Sequence, residues 1–70
     1  MEDKIKKFSV RINGHRTSVS LEPIFWERMR LIAMKRKTTI SSLVSELDSK
    51  STGNLSSAIR IFVLKEYTNQ

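Results

Sequence analysis

Catalysis by a small protein needs titratable or nucleophilic side chains that converge, and this chain carries few of them. It has one histidine, His15, and no cysteine. His15 stands beside an Asn-Gly turn signal, and a general base there would need an orienting partner that its neighbours do not supply. Glu46 and Asp48 lie two apart in a helical pattern, so they point in different directions and form no carboxylate pair. No glycine-rich phosphate loop and no zinc-ligand spacing occur. The chain therefore reads as a non-enzyme that uses no metal and no cofactor. What it does carry is a run of arginines and serines at every second position: Ser9 and Arg11, then Arg16, Ser18 and Ser20. Donors so spaced on one face, with no acid among them, suit an anionic partner.

Charge points the same way. Thirteen Lys and Arg against seven Asp and Glu give a net charge of +6. Residues 1–37 hold ten basic and four acidic side chains, whereas residues 38–70 hold three of each. A basic half joined to a neutral half fits a molecule with one face for a polyanion and another for itself. Seventy residues make one domain, and a chain of this size buries only about 60% of the surface exposed on unfolding. Without cysteine, neither disulfides nor a Cys-based zinc site can add stability, which leaves oligomerisation. No apolar run approaches the ~20 residues that span a bilayer. The start, MEDKIKKFSV, lacks an apolar stretch of signal-peptide length, so a cytoplasmic location is expected.

The elements that position these residues follow from periodicity. Residues 1–7 read as a flexible basic arm containing Lys4, Lys6 and Lys7. From Phe8 the pattern alternates to Ile12, meets Asn13-Gly14, the pair best suited to a two-residue type I′ hairpin, and resumes through Leu21. A two-residue turn sets Ile12 opposite His15, Arg11 opposite Arg16, Val10 opposite Thr17, Ser9 opposite Ser18 and Phe8 opposite Val19. One face then carries Phe8, Val10, Ile12, Thr17, Val19 and Leu21; the other carries Lys7, Ser9, Arg11, Arg16, Ser18 and Ser20. Facing arginines cost the hairpin a few tenths of a kcal/mol or more, a cost that an anionic partner relieves.

Glu22-Pro23 opens a first helix, with Pro at its first position and Glu22 suited to the positive end of the helix dipole. Phe25, Met29, Ile32 and Ala33, with Trp26 alongside, form its apolar stripe to about Arg36. Thr39 is the expected N-cap of a second helix bearing Ile40, Leu43, Val44 and Leu47 and ending near Lys50. Asn54 or Ser56 caps a third, whose Leu55, Ala58, Ile59, Ile61, Phe62, Val63 and Leu64 are apolar round most of its circumference. Such a helix is usually buried on several sides, and a second subunit is the natural cover.

This order, a polar-faced strand feeding a helix, a tight turn and a second capped helix, resembles the ribbon-helix-helix DNA-binding family, the fold class of the Arc and MetJ repressors. HRTSVSLEPIFWERMRLIAMKRKTTISSLVSELD followed by GNLSSAIRIFVLKEY looks like its subgroup of short bacterial proteins of largely unassigned function. The resemblance covers residues 8–67, with 68–70 as a tail. It implies a mainly α fold with a short β-ribbon: an intertwined homodimer with an N-terminal hairpin and an extra C-terminal helix. Residues 16–21 of each chain would pair antiparallel and lie in the major groove, which is about 12 Å wide. Arg16, Ser18 and Ser20 would contact bases. Lys7, Arg11 and Lys37, and the helix start at Thr39, Ile40 and Ser41, would contact phosphates. The dimer core would draw on Val19, Leu21, Ile40, Leu43, Val44, Leu47, Ile59, Phe62 and Val63.

The implied function is sequence-specific binding of double-stranded DNA by a transcriptional regulator, with further assembly of dimers along DNA left open. The alternative is an adaptor or antitoxin-like module that binds a partner protein through the sheet or the C-terminal helix. Two features depart from the family pattern. Lys37 stands where glycine is common, and a left-handed conformation there would cost about 1 kcal/mol. The hairpin also adds a strand to each ribbon strand. Four strands at ~4.8 Å spacing span about 14 Å, so the outer strands bend away, or straddle phosphates through Arg11 and Lys7, or the sheet binds something else.

Overall fold

Positive φ at two consecutive residues creates the first element boundary. Asn13 (φ 52°) and Gly14 (φ 80°) take the left-handed pair that a type I′ turn requires, so the strands on either side leave with the right-handed twist of a hairpin. In the computed structural model, which describes residues 4–51 and 53–68, β1 (Lys6–Ile12) pairs antiparallel with β2 (His15–Leu21). The register is Ile12 with His15, Arg11 with Arg16, Val10 with Thr17, Ser9 with Ser18 and Phe8 with Val19, as the alternation requires, and it continues to Lys7 with Ser20 and Lys6 with Leu21.

Three helices follow: α1 (Pro23–Lys35), α2 (Ile40–Lys50) and α3 (Leu55–Thr68). Pro23 opens α1, and the Glu22 carbonyl accepts from the amides of Phe25 (3.0 Å) and Trp26 (3.4 Å). The end of α1 is a Schellman turn: the Thr38 amide donates to the Ala33 carbonyl at 2.9 Å and the Lys37 amide to Met34 at 3.1 Å. That closure requires a left-handed residue, and Lys37 adopts φ 56°. Thr39 Oγ1 then caps α2 by accepting from the Ser42 amide at 3.1 Å. Of the two candidate caps for α3, Asn54 takes the role, its Oδ1 accepting from the Ser56 amide at 2.9 Å. Ser56 keeps its hydroxyl for another use.

The core gathers Val10, Val19, Leu21, Met29, Ala33, Leu43, Val44, Ile59 and Val63. Phe8 and Trp26 close one side as a stacked pair, centroids 4.6 Å apart and planes 9° from parallel. This makes Trp26 a packing residue that joins the hairpin to α1.

Several expectations need correction. Lys6 and Lys7 belong to β1, because β2 runs to Leu21 and Ser20 and offers both a pairing partner; residues 1–3 of the expected arm lie outside the described residues. Helix α3 continues through Thr68, the first residue of the expected tail, and the other two lie outside the described residues. Thr17 lies on the inner face with Val19 and Leu21 but is exposed rather than part of the core, because α2 packs against β1 while α3 meets β2 through Ser56 at Ser20. Glu22 stands at the N-cap of α1, as the dipole argument places it, and its carboxylate accepts from Arg60 rather than from the helix amides. Of the expected dimer-core residues, Val19, Leu21, Leu43, Val44, Ile59 and Val63 are already buried within one chain, at 0–5% exposure, while Ile40, Leu47 and Phe62 are half-buried.

Candidate nucleic-acid interface

The face of the hairpin turned away from the core is built by the period of the strands. Lys7, Ser9, Arg11, Arg16, Ser18 and Ser20 alternate with the inward residues and are all exposed. Because the two-residue turn makes Ile12 and His15 a hydrogen-bonded pair, Arg11–Arg16, Ser9–Ser18 and Lys7–Ser20 fall at non-hydrogen-bonded sites, where facing side chains come closest. The two guanidinium groups therefore share one place on the sheet, and neither takes part in a salt bridge among the described residues. By the same alternation, the backbone groups of Arg16, Ser18 and Ser20 point to the edge of β2 that β1 does not occupy. In the two-stranded sheet of the described residues no strand pairs along that edge, where Ser56 Oγ donates to the Ser20 carbonyl at 2.7 Å.

The start of α2 reaches the same region. Ser9, Val10, Arg11, Arg16 and Ser41 line one open hollow, bringing both arginines to the second residue of the helix. Thr39 uses its hydroxyl within the cap, accepting from the Ser42 amide and donating to Ser42 Oγ at 3.0 Å. The amides of Ile40 and Ser41 precede the first intrahelical donor, and they carry the positive end of the helix dipole. An anion in the hollow would meet two guanidinium groups and a helix N-terminus. Lys37 is exposed in the turn just before this cap. Ser9 was not among the expected contacts, although its alternation with Arg11 placed it on this face.

Other candidates are not gathered here. His15 and the carboxylates of Glu46 and Asp48 are exposed at separate places. No group of three or more metal-ligating side chains occurs among the described residues, and no described helix is long and apolar enough to cross a membrane. Away from the hairpin, the carboxylate of Glu22 is held below the usual glutamate range, chiefly by its hydrogen bond to Arg60. Glu27 is likewise lowered by Arg30, which donates to it at 2.7 Å.

A hairpin with a polar outer face, followed by a tightly turned and capped helix pair, is the framework of a DNA-binding regulator type of fold. A family model described as "Ribbon-helix-helix domain" matches residues 5–67, and the chain belongs to that family. Its members are typically non-enzymatic regulators that bind DNA as dimers. Among solved structures, an uncharacterized protein from Bordetella pertussis Tohama I shares the fold, with a TM-score of 0.77 and 24% identity over 94% of this chain. The aligned region is 58% of that protein's length. No curated protein matches the sequence.

Proposed function

We propose that the chain is a homodimeric, sequence-specific DNA-binding protein, a cytoplasmic transcriptional regulator that places a ribbon of two β2 strands in the major groove. Arg16 offers its fork to guanine O6 and N7, and Ser18 and Ser20 hydrogen-bond to neighbouring base edges. The hairpin's own outer strand lies beyond the ribbon on each side. Arg11 and Lys7 on β1 are therefore the residues that meet flanking phosphates, which reconciles a sheet about 14 Å across with a groove of about 12 Å. Lys37, Thr39, Ile40 and Ser41 hold a phosphate at the start of α2 and set the register. Half-buried Ile40, Leu47 and Phe62 are the apolar surface that a partner copy would finish covering.

The observation that carries this reading is the outer hairpin face, which is exposed, basic, free of acids and continuous with a helix N-terminus. An electrophoretic shift series tests it. Neutralising about six phosphates lowers affinity roughly a thousandfold between 50 and 200 mM salt, and an affinity that stays flat over that range overturns the reading. Sedimentation supplies the second check, because a folded particle of 8.1 kDa leaves no two-chain ribbon.

A protein-binding reading draws on a different surface. Ile61, Leu64 and Tyr67 of α3 are all more than half exposed, and a groove between α1 and α3 is lined by Leu31, Ile32, Val63 and Tyr67 together with the charged Arg28, Lys35 and Glu66. Purification from the native host separates the two: a stoichiometric protein partner without DNA favours the adaptor or antitoxin-like role.

A further inference from the structure

Strand β2 and helix α3 are joined at two points. Ser56 Oγ donates to the carbonyl of Ser20 at 2.7 Å. One turn along the same helix face, Arg60 Nε donates to Glu22 Oε1 at 2.9 Å, with a second guanidinium nitrogen 2.8 Å from the same oxygen. The Arg60 guanidinium also lies 5.9 Å from the centre of the Phe25 ring. The two contacts grip residues 20 and 22, on either side of Leu21, which is fully buried.

Their place in the ladder gives them a consequence for the outer face. His15, Thr17, Val19 and Leu21 direct their backbone groups to β1, so the Ser20 carbonyl points to the opposite edge, where only α3 meets it in a single chain. Fixing that carbonyl fixes the peptide plane between Ser20 and Leu21, and with it the end of the strand that presents Ser20. One lone pair of the carbonyl remains for a partner strand. Asn54 makes this possible by taking the cap of α3, which leaves the Ser56 hydroxyl free for the strand.

Resting on the DNA-binding reading above, we propose that Ser56 and Arg60 are positioning residues for base recognition: α3 braces the end of β2 so that Ser20 is held in line with Ser18 and Arg16. Neither side chain needs to touch DNA. The brace acts on discrimination at the base pair under Ser20 and leaves phosphate-driven affinity alone.

The test uses the full chain, a duplex selected by it from a random pool, and a random duplex. Ser56→Ala should lower discrimination at the outermost selected base pair about five- to tenfold, the low end of a lost base contact. Affinity for random DNA and its salt slope should stay unchanged. Ser56→Thr, which keeps the hydroxyl, should restore discrimination, and Arg60→Gln should reproduce the loss. In the free protein, amide exchange at Leu21 should quicken in Ser56→Ala while that at Val10 and Val19 holds, a local change that general destabilisation does not produce. Unchanged Leu21 exchange, or intact discrimination in Ser56→Ala, overturns the assignment. A wild-type chain that selects no duplex overturns the DNA-binding reading itself, and the assignment with it.

Discussion

Arg11 and Arg16 face each other across the hairpin at a site where no backbone hydrogen bonds separate them. The protein places two like charges at the closest approach that a sheet allows, on an exposed face. Left alone, the pair weakens the hairpin; beside a polyanion, it becomes a concentrated site of attraction. Arg11→Glu should therefore have opposite effects on two measurements. Replacing repulsion with a cross-strand ion pair should raise stability by about 0.2–1 kcal/mol, seen as a higher melting temperature. DNA affinity should fall, with a shallower salt slope. A fall in both would assign Arg11 a structural role.

Lys37 provides a second separation of fold from function. Its φ of 56° is forced by the Schellman closure of α1, and a side chain there costs about 1 kcal/mol relative to glycine. Lys37→Gly should stabilise the free protein by no more than about 0.5 kcal/mol, because the greater unfolded-state entropy of glycine takes back at least about 0.4 kcal/mol of the gain. If Lys37 meets a phosphate, the same substitution should reduce the salt slope of DNA binding by about 1. Thermal melting and a salt titration of binding read the two effects independently.

The Phe8–Trp26 stack is the aromatic contact between hairpin and helix. Both rings are half-buried, so Trp26→Ala should cost about 2–3 kcal/mol, less than the ~3–5 kcal/mol typical of a fully buried ring. Urea denaturation would measure it. A loss of DNA binding out of proportion to unfolding would instead give the Trp26 ring a role at the interface.

The Glu22–Arg60 pair predicts a dependence on pH. The folded-state pKa of Glu22 is depressed, first by the hydrogen bond from Arg60. Stability from the pair is therefore complete above the unfolded glutamate value of about 4.3 and is lost as pH falls through the lower folded value. Stability measured from pH 7 down to pH 3 should decline less steeply in Arg60→Gln than in the wild type. Parallel curves would show that the pair does not contribute through ionisation.

The hairpin's turn, register and faces were legible in the sequence, because that information is local; the first two residues of β1, Lys6 and Lys7, were not. Asn13-Gly14 sets the turn, a two-residue turn sets the register, and a period of two assigns each side chain to a face. The start of α1 at Pro23, the cap at Thr39, and the stripes of α1 and α2 were legible for the same reason, whereas the cap of α3 was narrowed only to Asn54 or Ser56. Tertiary structure alone decided which residues meet across long separations. Alternation gave Thr17 an inward direction, but only packing shows that no helix covers it. Apolar residues round most of α3 do not say which of them one copy covers; packing buries Ile59 and Val63 and leaves Ile61 and Leu64 exposed. Nor could spacing reveal that Ser56 reaches Ser20, or Arg60 reaches Glu22. Periodicity fixes the direction of a side chain within its own element, whereas its partner depends on how the elements are folded over one another.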